Sequence, residues 1–371
     1  MIDAETLLKF FLKKKISFYS GVPDSVLKNF TKLIDKKKLQ HIKAANEGSA
    51  VSVAIGEYLS SGKLPCVYLQ NSGLGNAINP LISIAHKQVY NIPLLLLIGW
   101  RGDPSLEKKD EPQHRLKGEI TPNLLKLLDI NYVILNSENN LKKISKIIDD
   151  SRKKNKISAI LVKMNSITSN KKKVKKKIKI DKGMKRIFFI EKLIQKIPKN
   201  YKIVSTTGYT SRELDYLRKK YNKNSNSDLY MVGGMGHSAM VSLGISFKKK
   251  VICLDGDGSI LMHLGSMRTV GFYGNKNFKH IILNNGCHES VGGQITTVTG
   301  TDFKNLSKSL GYKSYFSLSL DKNTNKTINL FLKSNGPSLL EVKISSGSID
   351  ELTRPKEFLK IKKNFMKKIN A

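Results

Sequence analysis

Two short stretches of this chain place oxygen-bearing side chains where a phosphate and a divalent cation could meet. Gly256-Asp257-Gly258-Ser259 follows the apolar run Val251-Ile252-Cys253-Leu254-Asp255, and Asn284-Asn285 follows His280-Ile281-Ile282-Leu283. Each run has the length and composition of a buried strand, with room for a helical crossover between them. Asp257 and Asn285 then emerge at the carboxyl ends of two parallel strands, where open α/β sheets bind ligands. A carboxylate, an amide oxygen and a backbone carbonyl such as that of Cys287 suit a hard cation such as Mg2+, which keeps further positions for phosphate oxygens. The glycines let backbone N–H groups approach a phosphate, and Ser259 can start the helix that follows. Gly-Asp-Gly alone would fit any tight turn before a helix. Its pairing with a second strand ending in Asn-Asn makes the pattern specific.

Other residues could complete a site. Asn46-Glu47-Gly48-Ser49-Ala50 opens a helix of small residues. A glutamate there is favoured by the helix dipole in any protein. Buried against a ring nitrogen, it would have its pKa raised and could share a proton. Asp24 and Ser25 follow a first strand at the turn Gly21-Val22-Pro23, so their side chains can face the same cleft. Imidazoles titrate near neutrality, which makes His114 and His288 the best proton carriers, although His114 could serve only to order its loop. Arg101 and Arg115 are two of eight arginines among 65 basic residues, and a guanidinium suits an oxyanion.

These residues need a scaffold of parallel strands, and the chain alternates strand-like with helical patterns throughout. Strands are expected at Cys66–Gln70, 94–98, 132–135 and 159–164, then at Lys202–Ser205, 251–255, 280–283 and 338–344. Amphipathic stretches lie between, at 3–14, 25–37, 47–60 and 186–197, with apolar residues three and four apart. Repeated βα units imply parallel sheets covered on both faces. Residues 169–183 are dominated by lysine, self-repelling and without a core face, and are expected to link a domain at 1–168 to another at 184–371. The halves show no evident sequence repeat.

Composition narrows the partners. The net charge of +36 is almost wholly lysine, spread along helix faces and loops. A nucleic-acid face would cluster arginine and aromatic residues, so the charge reads as solvated surface that can steer anions inward. Cys66, Cys253 and Cys287 have no metal or disulfide spacing, as expected of free thiols in the cytoplasm. No apolar run is long enough to span a bilayer, and the first residues do not read as a secretory signal.

Taken together, the chain resembles the phosphonopyruvate decarboxylases, in the short branch of thiamine diphosphate (ThDP) enzymes shared with sulfopyruvate decarboxylases. The resemblance runs nearly end to end. It is carried by GVPDS at 21–25 with Lys28, NEGSAV at 46–51, QNSGLGNAINPL at 70–81, GWRGDP at 99–104 and DEPQH at 110–114. It continues through STTGYTSREL at 205–214, GGMGHS at 233–238, DGDGS at 255–259, NNGCHESVGGQ at 284–294 and Arg354-Pro355. The lysine-rich segment 105–109 departs from the pattern and bears on the mouth of the site.

The resemblance implies two doubly wound α/β domains, pyrimidine-binding and then diphosphate-binding, with no central domain. It implies a ThDP- and Mg2+-dependent, non-oxidative decarboxylation of a small anionic 2-oxo acid, 3-phosphonopyruvate, to phosphonoacetaldehyde and CO2. Glu47 would activate the cofactor, and Asp257, Asn285 and the Cys287 carbonyl would hold Mg2+. Thr207, Gly208, Gly258 and Ser259 would contact the diphosphate. Met235 would bend the cofactor from beneath and the Gly233 carbonyl would accept from its 4′-amino group, although Met235 could be plain core and Thr207 a helix cap. Asp24, His114 and His288 would serve catalysis; Ser25, Asn71, Arg101 and Gln294 would line the substrate. A homodimer or larger assembly with sites between subunits is implied, without nucleic acid or membrane. Sulfopyruvate decarboxylation and carboligation are the alternatives within this chemistry, and a basic nucleic-acid-binding protein the alternative outside it.

Overall fold

The computed structural model describes residues 1–169, 183–221, 227–319, 323–349 and 352–370. The lysine segment expected at 169–183 falls outside them except for its two end residues. Contacts divide the described chain into two compact units, residues 1–169 with 291–294 and residues 183–290 with 295–370.

The first unit is built on six strands: β1 (Phe18–Gly21), β2 (Gln40–Lys43), β3 (Cys66–Gln70), β4 (Leu95–Gly99), β5 (Asn131–Leu135) and β6 (Ser158–Val162). They lie in the order β2-β1-β3-β4-β6-β5, and every pairing is parallel. Successive side chains of a strand face opposite ways, and here both faces are buried. Tyr19, Tyr68, Leu95, Leu97 and Ile160 pack on one side with Leu7, Phe11 and Phe30. Val67, Leu69, Leu96, Ile98 and Leu161 pack on the other with Ala50, Ala54 and Leu81. This two-sided burial is why the central strands read as unbroken apolar runs.

The second unit uses β7 (Lys202–Ser205), β8 (Asp228–Tyr230), β9 (Val251–Gly256), β10 (Phe278–Asn284), β11 (Ser314–Leu318) and β12 (Ser338–Ser345). Their order is β8-β7-β9-β10-β12-β11, again parallel throughout. This is the arrangement of the first unit strand for strand, although the sequence shows no repeat. The correspondence extends to the ends. Ile2–Asp3 pairs with Ile167–Thr168 beyond β6, and Met184–Lys185 pairs with the end of β12. Each sheet therefore changes direction between its first and third strands, the place where doubly wound folds take ligands.

All eight expected strands are present, within three residues at each end. β1, expected only as the strand ahead of the turn at 21–23, lies at Phe18–Gly21, and three further strands escape the sequence pattern: β2, β8 and β11, all at sheet edges. β2 alternates exposed and half-buried residues, while β8 spans only three residues and buries an aspartate, so neither leaves an apolar run. Two expected helix starts are corrected. The helix expected at 25–37 runs Lys28–Lys36, because the Asp24 carboxylate accepts the N–H groups of Val26 and Leu27 and holds a turn there. Ser259 does not open its helix; Asp257–Met262 begins two residues earlier, with Gly256 at the cap.

Leu97 is fully buried in the middle of the first sheet. Leu97→Ala should cost about 2–5 kcal/mol through lost burial and the cavity left behind, read as a shift of the urea unfolding midpoint. A cost below about 1 kcal/mol would contradict a close-packed strand there.

Candidate active site

In the first unit Glu47 is the first residue of the helix Glu47–Ser61, capped by Asn46, whose side chain accepts the N–H of Ser49. Its side chain is turned inward and only 5% of the residue is exposed. Oε2 accepts from the Asn76 amide at 2.8 Å. Burial raises its pKa from the usual 4.5, with the Asn76 hydrogen bond opposing, and no basic side chain among the described residues lowers it. The carboxylate fits only because residue 73 is glycine: a Cβ there would lie 2.2 Å from Oε1. The segment Gln70-Asn71-Ser72-Gly73-Leu74-Gly75-Asn76 thus holds Glu47 from two sides.

The same segment orders its neighbours. Gln70 donates to Asp24 Oδ1 at 2.6 Å, and the N–H groups of Val26 and Leu27 complete the set on Oδ2. Asp24 is 1% exposed, and a Cβ on Gly99 would sit 2.1 Å from Oδ2. Burial raises the Asp24 pKa, against these hydrogen bonds and the charge of Arg101. Asn71 clamps the backbone of Arg101, donating to its carbonyl at 2.9 Å and accepting its N–H at 3.1 Å.

Arg101 is largely committed. Nε and Nη2 donate to Asp110 at 2.7 and 2.5 Å, while Nη1 reaches Ser25 Oγ at 3.4 Å. Burial works to raise the Asp110 pKa, but the Arg101 hydrogen bonds outweigh it and hold the group well below the usual carboxylate range. His114 is half-buried near the start of the helix Pro112–Leu127. Its carbonyl lies 1.9 Å from where Gly102 would carry a Cβ, and Gly102 has φ +72°. The GWRGDP and DEPQH stretches are therefore packed against each other. Gln294 stands apart. It groups with the first unit, donates to Thr31 Oγ1 at 3.0 Å and makes no hydrogen bond to Asp24, Asn71 or Glu47 among the described residues.

In the second unit three loops meet at Ser259. Its Oγ accepts from Thr206 Oγ1 and from the Gly236 N–H, both at 3.0 Å, tying the turns after β7, β8 and β9 together. Thr207 is half-buried beside this clasp. Gly208, with φ +95°, precedes the helix Tyr209–Lys220, so Thr207 is not its cap. Gly233 and Met235 are half-buried in the turn that contributes Gly236.

Asp257 is 3% exposed and accepts from Thr296 Oγ1 at 2.6 Å. Burial raises its pKa, while Thr296 and the backbone N–H groups of Gly258, Asp257 and Asn285 lower it. Among the described residues no cationic side chain pairs with it. A sunken carboxylate held by neutral donors alone fits a divalent cation. Asn285 stands beside it, its Oδ1 accepting the N–H of Cys287 at 3.1 Å. Asn284 turns the other way and donates to Glu341 at 2.9 Å, which accounts for two asparagines in a row. Cys287 is half-buried, with Sγ 3.2 Å from Ser346 Oγ. His288 covers the Gly-Asp-Gly turn so closely that a Cβ on Gly258 would lie 2.8 Å from its Cε1. Gln70, Asn76 and Thr206 lie in stretches that carry the resemblance but were given no role there, and Thr296 lies outside them, since a hydrogen-bond donor carries no signature of its own.

Two family models cover these half-sites. The thiamine pyrophosphate enzyme N-terminal TPP binding domain matches residues 3–127, and the corresponding C-terminal TPP binding domain matches residues 206–342. Thiamine pyrophosphate is ThDP, so the two units are those of a ThDP enzyme. A phosphonopyruvate decarboxylase of Streptomyces viridochromogenes is 32% identical, over 96% of this chain and 92% of its own length. One of Streptomyces hygroscopicus is 33% identical over 96% and 91%. A sulfopyruvate decarboxylase of Methanosarcina acetivorans is 26% identical over 79% and 78%. The chain belongs to the ThDP-dependent decarboxylases, in the branch that holds the phosphonopyruvate and sulfopyruvate decarboxylases.

Two outcomes follow from the setting of Glu47. Its folded pKa lies above its unfolded value, so the unfolded chain releases that proton first as pH rises. Glu47 therefore contributes a loss of stability as pH climbs above 4.5 through the raised folded value. Glu47→Gln lacks this loss, and the melting temperature of the cofactor-free variant should gain on the wild type between acid and neutral pH. A constant difference across that range would contradict the burial. Separately, Gly73→Ala should displace the carboxylate and, if Glu47 takes part in the reaction, lower kcat by about 100-fold, the scale of a misplaced reacting group, with a far smaller effect on melting temperature. Turnover near wild type would show that Glu47 is not held by this contact.

Proposed function

We propose that this enzyme decarboxylates 3-phosphonopyruvate to phosphonoacetaldehyde, with Mg2+ joining ThDP to the second unit. The observation that carries the reading is a pair of buried acids, Glu47 in one unit and Asp257 in the other, each held by neutral donors at the carboxyl edge of its sheet. The substrate follows from the relatives: identity to the phosphonopyruvate decarboxylases extends over more of the chain, and at a higher level, than to the full-length sulfopyruvate relative.

In this reading Glu47 holds the proton on N1′ of the aminopyrimidine. Asp257, Asn285 and the Cys287 carbonyl hold Mg2+. Backbone N–H groups of Gly258 and Ser259, with Thr207 and Gly208, face the diphosphate, while Met235 and the Gly233 carbonyl shape the bend. When bound, ThDP accepts the electron pair left as CO2 departs. The C–C bond to the carboxylate breaks and a proton takes its place on the same carbon. His114 and His288 are the candidate donors of that proton. Asp24 and Asn71 keep Ser25 and Arg101 in position, and Ser25 with Arg101 Nη1 meets the substrate anion. Gln294, bonded to Thr31 Oγ1, completes the substrate side.

The cytoplasm suits three unpaired cysteines, and among the described residues no helix is long and apolar enough to cross a membrane. A homodimer or larger assembly is supported by exposed apolar side chains one turn apart on one helix, Leu116 at 66% and Ile120 at 46%.

The test is turnover of phosphonopyruvate and sulfopyruvate by the purified chain with ThDP and Mg2+, following aldehyde formation. Turnover of the phosphonate alone is expected. Equal turnover of both would remove the substrate preference, and turnover of sulfopyruvate alone would reverse it.

A further inference from the structure

The STTGYTSREL and NNGCHES stretches each contain a glutamate, Glu213 and Glu289, to which the reaction above gives no role. Both meet Arg186, the first residue of the helix Arg186–Lys196. Nε and Nη2 of Arg186 form a two-pronged pair with Glu213 at 2.9 and 3.1 Å, and Nη1 donates to Glu289 Oε2 at 2.9 Å. The guanidinium also lies over the Tyr209 ring, 5.4 Å from its centre. The side chains of Glu213, Arg186 and Glu289 are 0%, 6% and 16% exposed, so this is an interior network.

Glu289 is fixed at both oxygens. Oε1 accepts the N–H of Gly347, and Oε2, besides Arg186, accepts the side-chain N–H of Asn285 at 3.2 Å. That last bond and the Cys287 N–H on Asn285 Oδ1 at 3.1 Å fix the Asn285 amide from its two ends. A carboxylate paired to arginine can only accept, so the NH2 end must face Glu289 and the oxygen must face the other way. Reversing the amide would set its oxygen against a carboxylate oxygen. The charges point the same way, since two carboxylates share one guanidinium and one of them, Glu289, touches the Asn285 amide. Such a charge favours a divalent cation without ligating it.

We propose that Glu289, locked by Arg186 and Glu213, is a positioning residue that turns the Asn285 oxygen toward Mg2+ and sets the metal affinity of the second unit. The proposal rests on the reading of Asn285 as a metal ligand.

The experiment measures, by calorimetry on the full chain, the Mg2+ concentration that half-saturates ThDP binding. Wild type is compared with Glu289→Gln, Arg186→Lys and Asp257→Asn, alongside the melting temperature of each cofactor-free protein. Glu289→Gln, which can present either end of its amide, should raise the Mg2+ requirement about tenfold or more, the usual cost of losing an outer partner of a metal ligand. Arg186→Lys keeps the charge but loses the fork, and should shift the requirement in the same direction by less. If Glu289→Gln does not fold, Arg186→Lys decides. A requirement within twofold of wild type, with or without a lower melting temperature, overturns the proposal and marks Glu289 as structural. Loss of Mg2+-dependent binding in Asp257→Asn shows the metal reading intact in that case. If Asp257→Asn binds like wild type, the metal reading fails first and takes this proposal with it.

Discussion

Burying a carboxylate without a cation beside it is unfavourable, and this chain does so in both of its units. Glu47 and Asp257 each lie almost wholly inside, each accept from a neutral side chain, and each have their ionised form disfavoured by burial. Such an arrangement persists only where surrounding packing enforces it. The rest of the architecture can be understood as that enforcement. Two-faced parallel sheets supply the rigidity, and the turns at their carboxyl edges hold the acids.

The turns do this with little spare volume. In the first unit one short segment, from Gln70 to Asn76, serves three clients: it donates to Asp24, clamps the backbone of Arg101 and flanks Glu47. In the second, Ser259 gathers three loops through a single oxygen. Ser259 had been expected to open a helix and touch a phosphate. The helix opens at Asp257, and the Ser259 hydroxyl accepts from Thr206 and from the Gly236 N–H.

Much of this was legible in the residues. Strands buried on both faces declare themselves as apolar runs; Asp257 and Asn285 stood out because acid, amide and glycine occur at the ends of such runs, and Glu47 because it opens a helix of small residues. What stayed hidden has two physical causes. Edge strands such as Gln40–Lys43 bury too little to leave a pattern. Partners such as Asn76, Thr296 and Glu289 act through contacts whose sequence separation follows from topology, 29 residues for Asn76 and 39 for Thr296. Arg101 shows the limit of reading residue type alone. A scarce guanidinium suggested an anion ligand, yet most of its donors are taken by Asp110, nine residues away.

The pairing at the ends of each unit has a further meaning. Ile2–Asp3 lies against Ile167–Thr168, and Met184–Lys185 against Ile344–Ser345, so the opening residues of each lobe lie against the chain at or just past the last strand of its sheet. Neither six-stranded core takes a strand from the other. A module closed in this way is portable: it can be duplicated in tandem and left to diverge until no repeat is visible, or carried on its own gene as one half of a two-subunit enzyme, without rewiring either sheet.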